Sequence, residues 1–101
     1  MIELTPFRFD IEVTPTPQNP QFNAVGGAYA HVLIYDGDLD AALLRATASL
    51  MAGHWDIGKV QHAFAFPVER LQEFDANEIR LFRRAQFQGF AVDFDAWRKE
   101  D

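Results

Sequence analysis

The chain has 101 residues, no cysteine, nine Lys and Arg against fifteen Asp and Glu, and a formal charge of −6. That length suits one domain over residues 1–101 that closes a core unaided, and the lack of thiols excludes disulfides, thiolate zinc sites and cysteine nucleophiles. The acidic balance argues against nucleic acid as a partner, and no apolar run nears the ~18 residues of a membrane span.

The start, Met1-Ile2-Glu3-Leu4, lacks a basic stretch followed by an apolar one, so a soluble cytoplasmic protein is expected. Phe7, Phe9, Ile11 and Val13 then alternate with Arg8, Asp10, Glu12 and Thr14. Period-two alternation predicts a strand with one buried and one wet face. Pro15, Pro17 and Pro20 remove backbone donors, so a loop is expected over about residues 15–25. Gly26-Gly27 marks a bulge or a close backbone approach where the chain re-enters the sheet. The second strand, Ala28 to Tyr35, carries Ala28, Ala30, Val32 and Ile34 on one face and Tyr29, His31, Leu33 and Tyr35 on the other. Neither face is polar, which is the pattern of a central strand.

Asp36-Gly37-Asp38 turns the chain and caps a helix that runs to about Ala52, with Leu39, Leu43, Ala46 and Leu50 as its buried stripe. Gly53 is placed to end it in the left-handed conformation. From Trp55 a third strand is expected, with Val60, His62, Phe64 and Phe66 on one face, ending at Pro67. A short helix reaches Phe74, and Asp75 with Glu78 has capping-box spacing for a further helix that ends before Gly89. Phe90, Val92 and Phe94 define a last strand, and a charged tail, expected to be loose beyond Trp97, occupies about residues 98–101. A βαβ unit flanked by strands predicts an α+β two-layer sandwich, a four-stranded mixed β-sheet with helices on one face.

Signals of chemistry are sparse. His31, His54 and His62 show no HxH, HxxxH or HExxH spacing, so no metal and no cofactor is expected. The one serine, Ser49, sits mid-helix without a glycine-flanked elbow, and no catalytic residue is assigned. Capping accounts for Asp36 and Asp38, and Arg80, Arg83 and Arg84 read as a solvated helix face. Tyr29, His31, Tyr35 and His62 are the candidates for binding a ligand; Tyr29, Leu33 and Tyr35 are the candidates for an interface.

Ten phenylalanines in so short a chain exceed what one small sheet and its helices hide. The leading expectation is therefore a small non-catalytic interaction domain, a homodimer or the binder of a protein partner. The alternative is a small-molecule-binding protein or enzyme using the proline-rich loop with the Tyr29, His31 and His62 face. In acidity, size and α/β mixture the chain also resembles small inhibitor proteins such as immunity proteins and barstar-like nuclease inhibitors. That resemblance implies a basic protein partner, met by the acids of residues 1–50.

Overall fold

A computed structural model describes residues 3–100. The elements are β1 (Thr5–Pro15), β2 (Val25–Asp36), α1 (Leu39–Ala52), β3 (Trp55–Ala65), a 3₁₀ turn (Val68–Glu73), α2 (Ala76–Gln88) and β4 (Phe90–Arg98). Each expected element is present, in the expected order. Asp38 caps α1 by accepting from the Ala41 N–H at 2.8 Å, and Asp75 caps α2 by accepting from the Glu78 N–H at 2.8 Å.

The strands form one open sheet in the order β3-β1-β2-β4, and every neighbouring pair is antiparallel. The expected mixed sheet does not form, because β1 inserts between β2 and β3. The β2–α1–β3 unit is therefore a split βαβ crossover whose parallel strands never touch. β1 earns the central place by its pattern: Phe9, Ile11 and Val13 are fully buried, opposite Val32, Ala30 and Ala28 of β2.

α1 covers that face, burying Ala42, Ala46 and Leu50 against it. Trp55 of β3 and Phe94 of β4 come from the two outer strands and stack at 5.0 Å between ring centroids. Ala28 and Ala30 keep the middle of this face low enough for them to meet.

The helices do not share one face. α2 packs on the opposite side, where Leu81, Phe82 and Ala85 join Leu33, Ala91 and Phe66. The connectivity dictates this arrangement: the chain leaves β3 at one edge, must reach β4 at the other, and finds the first face occupied by α1. Phe66 anchors the crossing, stacked on Phe82 at 5.1 Å and on Phe74 at 4.8 Å.

Three local expectations are revised. Gly53 keeps a negative φ, and the left-handed residue at the end of α1 is His54, at φ 67°. The strict alternation expected along β3 fails because two register shifts interrupt its pairing with β1. Val60 lies opposite Ile11, on the α1 side, whereas His62 lies opposite Asp10, on the α2 side. The tail is tied down as far as Lys99: its N–H donates to the Ala24 carbonyl, and its ammonium sits 3.9 Å from the centroid of the Phe22 ring. Asp101, the last residue of the expected tail, lies outside the described residues.

Gly26-Gly27 does both things expected of it. The β2–β4 register shifts between Val25 and Gly27, and a β-carbon on Gly27 would overlap the indole of Trp97. Among the described residues, no helix is long and apolar enough to cross a membrane.

Stability should follow the burial along α1. Leu50→Ala, 2 % exposed, should cost about 2–5 kcal/mol of unfolding free energy, whereas Leu44→Ala, 71 % exposed on the same helix, should change it by less than ~0.5 kcal/mol. Urea denaturation of the two variants measures the difference.

Candidate functional site

On the α2 side, β1 presents Arg8, Asp10 and Glu12, the positions predicted to be wet. Arg8 is not wet: it is only 6 % exposed. Its Nε and Nη2 donate to the two carboxylate oxygens of Glu78 on α2, at 2.5 and 3.0 Å. Its Nη1 donates to Asp10 Oδ1 at 2.7 Å and to the Phe9 carbonyl at 2.5 Å. A bidentate guanidinium–carboxylate pair is among the strongest polar contacts available, and here it fastens α2 to the sheet. Burial alone would lower the Arg8 pKa, but its hydrogen bonds to Glu78 and Asp10 and their charges outweigh it and raise it.

Asp10 is the second junction. His31 Nδ1 lies 2.5 Å from its Oδ1, and His62 Nδ1 lies 3.0 Å from its Oδ2. A carboxylate only accepts, so each imidazole presents Nδ1–H to it, and Nε2 is left as each ring's free position. Arg8 Nη2 stands 3.4 Å from the same His31 nitrogen. Both atoms are then donors, and they share no proton. Burial pushes the Asp10 carboxyl up, but the hydrogen bonds from His31 and Arg8, with the Arg8 charge, hold it below the usual carboxylate range.

Two clefts flank this network, and His31 lines both. The larger, about 570 Å³, lies between α2 and the sheet and is lined by Arg8, His31, Asp75, Glu78, Asp93 and Asp95 among others. The smaller, about 230 Å³, is lined by Asp10, Tyr29, His31, Gln61 and His62. Beside them Tyr29 and Trp97 meet at 5.2 Å, both partly exposed. Asp93 is also paired with Arg84 at 2.7 Å.

The candidate residues therefore divide. Tyr29, His31 and His62 come together on one face, with His31 and His62 on one carboxylate. Tyr35 does not join them: it is half-buried beside Phe82 under α2, 6.4 Å between ring centroids. Leu33, expected at an interface, is fully buried beneath α2 and offers no surface. The reason in both cases is the placement of α2 on this face.

The proline-rich loop lines neither cleft. Buried Asn19 holds it against the end of α1, donating to the carbonyls of Gly53 and His54 at 3.3 and 3.2 Å. Of the six acids of residues 1–50, three are engaged: Asp10 in the network, Asp36 with Arg45, and Asp38 at the α1 cap. The carboxylates that line the large cleft come from the second half of the chain.

Arg8, Asp10, Glu78, Asp93 and Asp95 were missed as site residues. Alternation marked the two β1 residues as polar-face positions, and capping-box spacing explained Glu78. Only the pairing of β1 with β2 and the seat of α2 bring them together. Among the described residues, no group of three His, Asp or Glu side chains is arranged to hold a metal ion. Comparison of the chain with protein-family models, with curated proteins and with solved structures finds no match.

Two outcomes test the network. Arg8→Ala strands Glu78 and Asp10 without their partner, so a loss of about 3–5 kcal/mol is expected in chemical denaturation. Asp10 has a folded-state pKa below its unfolded one, so its stabilising contribution is complete above the unfolded value, ~4, and is lost as pH falls through the folded value. Urea midpoints measured down the acid limb should therefore fall less steeply for Asp10→Asn than for the native chain.

Proposed function

We propose that this chain is a small-molecule-binding protein whose ligand sits in the cleft between α2 and the sheet, against His31. The observation that carries the reading is the carboxylate behind His31: Asp10 holds the ring at Nδ1 and leaves Nε2 free at a residue that lines both clefts, while His62, on the same carboxylate, lines the smaller one. A cleft of about 570 Å³ falls within the roughly 300–1,000 Å³ typical of ligand sites. Each imidazole, held by that carboxylate at Nδ1, keeps Nε2 as a hydrogen-bonding position of fixed direction.

The lining restricts the ligand. Asp75, Glu78, Asp93 and Asp95 outnumber the one cation in the cleft, Arg8, whose charge is already met by Glu78 and Asp10. Neutral donors and cations are favoured, and anions are repelled. Beside the smaller cleft, which Tyr29 lines, the partly exposed Tyr29–Trp97 pair presents ring faces that suit a cation or a planar group.

This reading is preferred over a sheet-face interface because α2 removes Leu33 and half of Tyr35 from the open surface. A basic protein partner is less favoured, since half of the first-half acids that would meet it are engaged within the chain.

A panel of cationic, neutral and anionic fragments, screened by heteronuclear NMR, tests the proposal. Cationic or neutral members should shift the resonances of His31, Leu81 and Asp93, and His31→Gln should weaken their binding by about tenfold or more. The proposal is overturned if no member moves those resonances, or if binding survives His31→Gln unchanged.

A further inference from the structure

The two edges of the open sheet are finished differently. The Phe66 N–H donates to the Pro6 carbonyl at 2.8 Å, in phase with the facing pairs Arg8–Phe64 and Asp10–His62. In an antiparallel ladder alternate residues turn their N–H and C=O toward the partner strand. Phe64 and His62 thus face β1, and the backbone groups of Ala63 and Ala65 point out from the edge.

On β4 the corresponding bond is Tyr35 N–H to the Gly89 carbonyl, which turns Val92 outward. That outward carbonyl is covered: Arg84 Nη2 donates to it at 2.8 Å. Asp93, Asp95 and Arg98 add charge along the same edge. On β3 the two register shifts distort the stretch from Ile57 to His62. Bulges and charges are the ordinary means by which a sheet edge avoids pairing with another chain. Ala63-Phe64-Ala65 has neither. Among the described residues nothing bonds to its outward groups, and Phe64 is 40 % exposed.

We propose that Ala63–Ala65 pairs antiparallel with the same segment of a second copy, about a twofold axis normal to the sheet. Two four-stranded sheets then become one of eight strands. Ala63 exchanges hydrogen bonds with Ala65 of the second copy, and Ala65 with its Ala63, so the donors and acceptors of one edge complete those of the other. Phe64 falls opposite its own counterpart in a non-hydrogen-bonded pair, where side chains stand ~4.5–5.5 Å apart at Cβ and aromatic pairs stabilise.

A second copy is the occupant that the edge fits. Its short run is self-complementary about that axis, which an isologous dimer requires. No carboxylate lies between Asp56 and Glu69, so two chains of net charge −6 meet here without opposed acids. The axis also keeps both His31–His62 faces on the same side of the joined sheet. This inference rests on the strand edge and stands apart from the ligand reading.

The absence of native cysteine makes the test direct. The native chain should be dimeric by sedimentation equilibrium at high micromolar concentration. Ala65→Pro deletes an outward donor and no bond to β1, so it should weaken association by about tenfold or more. Under mild oxidation Phe64→Cys should form a covalent dimer, whereas Leu44→Cys on the exposed side of α1 should not. The inference is overturned by a native chain that stays monomeric, or by a dimer that Ala65→Pro leaves intact. It is also overturned if Leu44→Cys links as fast as Phe64→Cys.

Discussion

The guanidinium of Arg8 lies at the border between the packed and open parts of the second sheet face. Its bidentate pairing with Glu78 fixes the N-terminal part of α2 over the sheet, and its remaining donors hold Asp10 and the Phe9 carbonyl. Asp10, so held, orients His31 and His62. The seat of the helix, the shape of the cleft and the direction of two imidazoles thus depend on one buried cation. Burying a charge is costly unless every polar neighbour answers it, and here two carboxylates and a carbonyl do.

That arrangement divides the labour of the second face. Beyond Arg8 toward the Tyr35 end, Leu33, Ala91, Phe66 and Phe82 form an apolar cluster under α2. On the other side the face is lined by Asp10, Tyr29, His31, His62, Asp93 and Asp95, and the sheet is bare. The first face has no such division: α1 and the Trp55–Phe94 stack close it with aliphatic and aromatic side chains. Arg8, Asp10, His31, His62 and Glu78 converge on one side, at the edge of one helix.

The strand edges follow from the same topology. Because α2 must carry the chain from β3 to β4, its C-terminal half arrives beside β4, where Arg84 reaches the Val92 carbonyl and Asp93. Among the described residues β3 receives no such cover, and its bulges, which turn His62 toward Asp10, lie between Ile57 and His62. Forming the imidazole pair and distorting the edge are consequences of one irregularity.

Most of the secondary structure is legible in the amino-acid order because its causes are local. Strict alternation in Phe7–Thr14, prolines at 15, 17 and 20, caps at Asp38 and Asp75, and the stop at Gly89 each act within a few residues. The candidate site was legible only in part. Tyr29, His31 and His62 stood out as aromatic or titratable groups on strands, but of their partners Arg8 and Asp10 read as the wet face of a strand and Glu78 as part of a helix cap. Tyr35 and Leu33 looked available because nothing local reveals that a helix more than forty residues later will lie on them.

What the sequence by itself determined is the set of elements and the apolar face of β1 and β2, since propensity, patterning and capping are short-range. The strand order, the opposite placement of the two helices and the meeting of Arg8 with Glu78 were decided by tertiary structure alone. They depend on which long-range pairing buries the most apolar surface without stranding a charge, and no local pattern encodes that choice.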